Sequence, residues 1–450
     1  MKRHSKLNFI KLTGLYLLVC ILLAGVLSGC SSSSAGSGQS GGANEGLSGS
    51  LKVYYLNMGI ENFAQPIQQF INENKAVQVE STEFTDVSEM DQRVSTELAA
   101  GSGPDVILAS MFFSPDLLAL AENGAFYDLS SLMQQDPAMT EDNYYLPVFN
   151  AGKIEGEQYI IPFQFSLPTF ISTQKASDAL GVDFSGNSAP GTVIEQLLSA
   201  LQTASEPQIA RFQSSYDIVL SLILPQGRDI IDYQQKKILI DKEGFKPLVD
   251  LTKEIYNQSS ELSAQLSNFS SYAKVPVLFS NEMTSPNLLR AAYSVYSAAG
   301  SGDDVVFYSI PTQEDPSAYR ALVQTYGVVT ASSKNAPAAW GLFRVIMDQE
   351  QGYKMYSGMT VNKLNMQRHL SELSSMQGEK QGSFQIEKLP EKYTKQLEKT
   401  LDNVKDAVIF QFTSINKEIY RGTLSYANDE VGYEEMMTAL LQKLQLYLNE

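Results

Sequence analysis

The chain has 450 residues, 43% of them hydrophobic, and carries 50 acidic against 33 basic side chains for a formal net charge of −17. So acidic a surface repels nucleic acid and anionic headgroups, and neither is an expected partner. Two cysteines and two histidines are too few for a disulfide framework or a multi-histidine zinc site.

The chain opens with Lys2, Arg3, Lys6 and Lys11 around the start of an apolar run, Leu12 to Leu27. This is the layout of a secretory signal. The run closes on "LSGC", which looks like the bacterial lipobox, in which cleavage ahead of Cys30 frees a thiol for acylation. Residues 1–29 are therefore expected to be a lipoprotein signal peptide and Cys30 the lipidated residue. Cys20 and His4 leave with the leader, so Cys30 and His369 remain alone of their kinds. His369 sits in the polar stretch "LNMQRHLSEL" and is expected at the surface. Residues 31–50 hold eight Ser and six Gly, too polar to bury, so residues 30–50 read as a lipidated tether reaching roughly 25 Å.

The folded part begins with the strand "LKVYYLNMG". A helix follows, with Phe63, Ile67, Phe70 and Ile71 on one face. The strand "VQVESTEF", the helix "SEMDQRVSTELAAG" and the strand "DVILAS" complete parallel βαβ units. "IEGEQYIIPFQFSLPTFIST" reads as a strand pair running on without an intervening helix. Three helical stretches, a strand at "KVPVLFS", a helix through Ala299, the strands "DVVFYSIP" and "YGVVTAS", and the helix "NAPAAWGLFRVIMDQEQGYKMYSG" come next. The C-terminus is mostly helical, and Tyr433, Met437, Leu440, Leu444 and Tyr447 line one apolar face of its last helix.

"AAGSGPDVILAS" (99–110) and "AAGSGDDVVFYS" (298–309) agree at eight of twelve positions. Both run helix, glycines, strand, the reverse of a phosphate loop, and so present a helix C-terminus that repels anions. Gly101 and Gly300 read as left-handed helix terminators.

Taken in order, "RVSTELAAGSGPDVI", "ALAENGAFYDLSSLM", "GKIEGEQYIIPFQFS", "PQGRDIIDYQQKKILIDKEGFKPLVDLTKEIYN" and "YGVVTASSKNAPAAWGLFRVIMDQEQGYKMY" resemble the extracellular solute-binding proteins of ABC importers, in particular the sugar-binding, maltose-binding-protein-like family 1. "MTVNK" departs from that pattern, with Thr360 where the family usually has proline. The resemblance implies an α/β, two-lobed periplasmic-binding-protein-like fold. Each lobe is a mainly parallel sheet flanked by helices, and a multi-segment hinge joins the lobes. It allots 51–164 plus 312–358 to lobe 1 and 165–311 plus 359–450 to lobe 2. It further implies a monomeric, non-enzymatic receptor without cofactor or metal. Such a receptor is anchored by lipid on the extracytoplasmic face of the cell membrane and hands a small solute, a carbohydrate or oligosaccharide, to an ABC permease. A ligand-sensing lipoprotein, or a binder of another solute, is the alternative.

Ligands of open α/β sheets sit beyond the carboxyl ends of strands. On that rule the candidate contacts are Asn57 and Met58, Ser110 and Met111, Phe163 and Gln164 at the first crossing, Gln226 and Arg228 in the second lobe's loop, Ser280, Asn281 and Glu282 after "KVPVLF", and Tyr326. Amides, hydroxyls and aromatic faces suit a polyhydroxylated ligand. Trp340 follows the core spacing of Phe343 and Met347 and is expected to pack inside. The pairs Tyr54–Tyr55 and Tyr144–Tyr145 cannot converge on one metal, since adjacent strand residues face opposite ways. Among fifty acidic residues no carboxylate pair sits in a setting that raises a pKa, which disfavours a glycosidase.

Overall fold

The computed structural model describes residues 47–58, 63–183, 190–203, 231–232, 235–265, 280–298, 300, 302–312, 315, 317–349, 358–376, 378–381, 384–411 and 413–449. The expected signal peptide (1–29), Cys30, Gln226 and Arg228 lie outside the described residues.

The first sheet grows from the expected βαβ units. β1 (Gly49–Leu56) lies between β2 (Val77–Phe84) and β3 (Val106–Ser110), all parallel. Helices Ala64–Glu73 and Val87–Ala99 make the crossovers. The first of these buries Ile67 and Phe70 as its periodicity requires. The second ends in a Schellman turn. Gly101 has φ 67°, its N–H bonds Leu98 O at 3.0 Å, and the N–H of Ser102 bonds Glu97 O at 2.9 Å. Gly300, with φ 80°, closes helix Pro286–Ala298 in the same left-handed conformation. The twin loops are helix terminators, as their direction demands.

The stretch "IEGEQYIIPFQFSLPTFIST" forms a hairpin, β4 (Lys153–Ile154) and β5 (Glu157–Gln158), and then β6 (Ile160–Thr173). Glu155 and Gly156 both take positive φ at the hairpin turn, the combination a two-residue connection needs. β6 is 14 residues long and buried throughout except at Gln164. Such a continuous apolar run marks a strand covered on both faces.

β7 (Ile231–Asp232) and β8 (Lys237–Ile238) form a small hairpin. Beyond them lie β9 (Ser280–Thr284), β10 (Val305–Ser309), β11 (Tyr319–Val329), β12 (Met359–Thr360), a second hairpin of β13 (Glu379–Gln381) and β14 (Phe384–Ile386), and β15 (Val404–Ile409). Two long strands change partners midway. The opening half of β6 pairs with β11, from Ile160↔Val328 to Gln164↔Thr325, and its closing half pairs with β9 and β10. β11 pairs first with β15, over 319–323, and then with β3 and β6, over 325–329. β12 clips onto β6 where the change occurs, at Phe165 and Gln164. The described strands of the second sheet meet β6 antiparallel, while the first keeps its parallel trio.

Two buried clusters pack against these strands, the larger running along both halves of β6. The larger gathers β1, β3, β6, β11 and helix Ala336–Asp348, whose Trp340, Phe343 and Met347 are all buried as their spacing predicts. The second joins helices Pro190–Thr203, Lys242–Gln265, Ser414–Ala427 and Tyr433–Asn449. In the last helix Met437, Leu440 and Leu444 face inward. His369 departs from expectation: only 3% exposed, it is buried in helix Lys363–Ser375 beside Met366, Leu370 and Leu373. Those four positions form an i, i+3, i+4, i+7 stripe, and the polar residues around it hide the stripe from a reading by composition. Among the described residues, no helix is long and apolar enough to cross a membrane.

Candidate ligand-binding site

The carboxyl edge of the first sheet ends in a row of polar side chains. Ser110 on β3 lies opposite Thr325 on β11, Thr325 opposite Gln164 on β6, and Gln164 opposite Thr360 on β12. Thr325 donates toward Gln164 Oε1 at 3.4 Å. Ser110 is fully buried, and its Oγ has no hydrogen-bond partner among the described residues. Its carbonyl accepts from Tyr326 Oη at 2.7 Å, and the next N–H, of Met111, bonds Gln324 O at 2.8 Å. At the end of β1, the backbone N–H of Asn57 bonds Phe84 O at 2.8 Å and its side-chain amide donates to Glu83. Tyr55 donates to the same carboxylate at 3.3 Å. Burial, with Glu83 beside it, raises the pKa of Tyr55. Met58 is 42% exposed.

Asn57, Met58, Ser110, Met111 and Gln164 thus share one edge. Phe163 and Tyr326 occupy different ground. Phe163 is 3% exposed, edge-on to Phe63 at 6.1 Å and to Phe343 at 5.5 Å. Tyr326 is 1% exposed with its hydroxyl on Ser110 O. Both pack into the core behind the edge. Ser280, Asn281 and Glu282 lie within β9, opposite Ile171, Phe170 and Thr169, not in a loop beyond a strand. Tyr54 and Tyr55 diverge as the pleat requires, Tyr54 bonding Glu97 and Tyr55 bonding Glu83. Tyr144 donates to Asp348, while Tyr145 sits edge-on to Phe165 at 5.7 Å.

The second wall comes from residues the sequence reading misses. The segment after β15 turns at Gln411 into helix Ser414–Ala427, which Thr413 caps through the N–H of Asn416 at 3.2 Å. Gln411 donates to Phe113 O at 2.7 Å and to Pro115 O at 2.5 Å, and Asn416 donates to Gln411 O at 2.6 Å. Lys417 donates to Ser114 Oγ at 3.1 Å, and Ser114 N–H bonds Asp91 at 3.3 Å. Burial raises the pKa of Asp91, partly offset by Ser114 and by Lys417. The same post-strand rule would have found this turn had β15 been legible.

A charged clasp ties helix Ala336–Asp348 to Asp136, Tyr144 and Asn362. Arg344 forks between Asp136 at 2.6 Å and Asp348 at 2.8 Å, and Trp340 Nε1 donates to Asp136 at 2.9 Å. Asp348 accepts from Tyr144 and, at 2.9 Å, from Asn362. Asn365 donates to Asp348 O at 3.1 Å. Burial pushes the Asp136 carboxyl up, but the Ala138 N–H, Arg344 and Trp340 more than offset it, so its pKa lies below the usual range. Gly358, immediately before β12, has φ 149°. A Cβ there would lie 2.7 Å from Gln324 Oε1 and 3.0 Å from Phe165 O. Gly358→Ala should therefore lower stability by about 1–3 kcal/mol. A thermal melt superimposing on that of the wild type would show slack around Gly358.

The polar groups of both walls are amides and hydroxyls, with one cation in Lys417 and carboxylates in Asp91 and Glu83. They offer matched donors and acceptors for a neutral, hydroxyl-rich molecule. Residues 65–361, more than half of the chain, match the bacterial extracellular solute-binding proteins. The chain belongs to that family. No curated protein matches the sequence. Solved structures share its fold. The sugar-binding protein MalE of Xanthomonas citri has a TM-score of 0.59 at 13% identity, over 89% of this chain and 98% of its own. A family 1 extracellular solute-binding protein of Alicyclobacillus acidocaldarius gives 0.57 at 12%, over 90% and 99%. An ABC substrate-binding protein of Listeria monocytogenes in complex with cycloalternan gives 0.54 at 14%, over 89% and 99%. The two-lobed α/β class is thus the one observed. This solute-binding protein has its row of polar groups where β6 passes from its β11 and β12 pairings to those with β9 and β10.

Proposed function

We propose that the protein captures a carbohydrate or oligosaccharide between its two lobes by hinge closure and delivers it to an ABC permease. The observation that carries this reading is the coincidence of the Ser110–Thr325–Gln164–Thr360 row with the partner changes of β6 and β11. Polar groups sit level with the point where β6 changes neighbours, the kind of place at which a hinge acts. The sugar-bound or sugar-binding character of the structural neighbours supports the ligand class. The family is one of binding proteins, so capture without turnover is the role assigned. Lobe 1 comprises 51–164 with 312–358, and lobe 2 comprises 165–311 with 359–450. Residues 1–29 direct export, and acylated Cys30 with its Ser/Gly tether holds the receptor at the outer face of the membrane. Of the candidate contacts, Asn57, Met58, Ser110, Met111 and Gln164 form the first wall.

A thermal-shift panel of mono- and oligosaccharides, amino acids, polyamines and nucleosides tests this. One saccharide at a hundredfold excess over its Kd should stabilise by about 2.7 kcal/mol. Stabilisation only by an amino acid, polyamine or nucleoside would replace the ligand class. An unchanged radius of gyration at saturation would remove hinge closure.

A further inference from the structure

We propose that Glu83 is a contact and specificity residue of this receptor: its carboxylate accepts hydroxyl protons of a neutral saccharide and turns away saccharides that are themselves anionic. The proposal rests on the saccharide reading above. It starts from exposure along the carboxyl edge of the first sheet. Ser110, Thr325 and Thr360 are 0%, 2% and 5% exposed. The adjoining end of β1 and β2 is open: Asn57 is half-buried, and Met58 and Glu83 are exposed. β2 closes the strand order on this side, and Glu83 lies opposite Tyr55, one residue before the strand ends.

The carboxylate is held in a fixed direction. One oxygen accepts from the Asn57 side-chain amide and the other from Tyr55 Oη at 3.3 Å. A carboxylate only accepts, so the Asn57 amide turns its nitrogen toward Glu83. Each oxygen has a second lone pair, which leaves two acceptor sites on an exposed group. Both donors are neutral, and among the described residues no cation pairs with Glu83. The cations Lys52 and Arg93 are bound instead to Glu97. Tying β1 to β2 does not require this charge, because the backbone ladder from Gly49 to Leu56 and the Asn57 N–H on Phe84 O already do so. An oriented, charged acceptor takes a hydroxyl proton more strongly than a neutral one. Saccharides carry hydroxyls on adjacent carbons, and two of these can fill both open lone pairs. A saccharide bearing its own carboxylate meets like charge there, with no counter-ion to relieve it.

Calorimetric titration tests this with the saccharides of the thermal panel, each neutral sugar paired with its uronate (glucose with glucuronate, galactose with galacturonate). The proteins are the wild type, Glu83→Gln, Glu83→Asp and Glu80→Gln. Glu80 is an exposed carboxylate opposite Lys52 on the same strand, so its variant removes the same charge away from the edge. Glu83→Gln should weaken the neutral saccharide about ten- to a hundredfold. It should weaken the uronate less, so that the ratio between the two narrows. Glu80→Gln should leave both affinities unchanged. Should Glu83→Gln fail to fold, Glu83→Asp decides: it withdraws the carboxylate by one methylene and should also weaken the neutral saccharide. Folded Glu83→Gln with wild-type affinity for that saccharide overturns the assignment. An equal loss in Glu80→Gln overturns it as well, and so does a wild type that binds the uronate as tightly as its neutral parent. A wild type that binds no saccharide overturns the proposed ligand, and the assignment with it; the wild type alone tells that failure from the others.

Discussion

Arg344→Met should cost the protein about 2–3 kcal/mol of stability, read as a lower denaturation midpoint in urea at neutral pH. The guanidinium is the shared partner of Asp136 and Asp348, and Asp136 is 14% exposed at the side chain. Removing a cation from a buried pair leaves an uncompensated carboxylate, a loss of about 3–5 kcal/mol where burial is complete. The 42% exposure of Asp348 and the remaining donors Trp340, Tyr144 and Asn362 reduce it. The pH dependence has a definite sign. The native Asp136 carboxyl titrates below its unfolded value of about 3.9. Its contribution is thus present above that pH and lost as the pH falls through the lowered native value. The gap between wild type and Arg344→Met should accordingly narrow in acid. A gap that is constant from pH 7 to pH 3 would mean that Asp136 draws nothing from Arg344.

Phe163→Ala should be at least as damaging, with a loss of about 3–5 kcal/mol. Its ring is wedged between Phe63 and Phe343, and the site has no room to collapse. A Cβ on Gly327 would stand 2.7 Å from both Phe163 Cζ and Phe343 Cε1. A ring that served the ligand instead would behave oppositely: the variant would melt with the wild type and lose only affinity. Comparing melting and saccharide binding on one preparation separates the two.

Much of the architecture is legible in the sequence because the first lobe's elements are long and regular. Ile67 and Phe70 announce a helix by period, "DVILAS" a buried strand by length, and Gly101 a terminator by position. The reading falters where period and burial disagree. β15, "VKDAVI", carries Lys405 and Asp406 among apolar residues, and its neighbours are strongly helical, so the C-terminus looks mostly helical. With β15 hidden, the rule that ligands lie beyond strand ends never reaches Gln411 or Lys417. Phe163 and Tyr326 err differently. Both lie close to the right edge in sequence, but a period of two sends alternate side chains behind the sheet, and a single strand does not reveal which face is wet.

The exchange of partners by β6 has a consequence for how the molecule denatures. β6 gives backbone hydrogen bonds to β11 and β12 along its first half and to β9 and β10 along its second, so the two sets of pairings share one strand. Melting is then shared between the halves, and calorimetry should record one transition whose van't Hoff and calorimetric enthalpies agree. A ligand that grips only the cleft would raise that single transition as a whole. One strand of the polypeptide thus makes the far ends of both halves report on whether the middle is occupied.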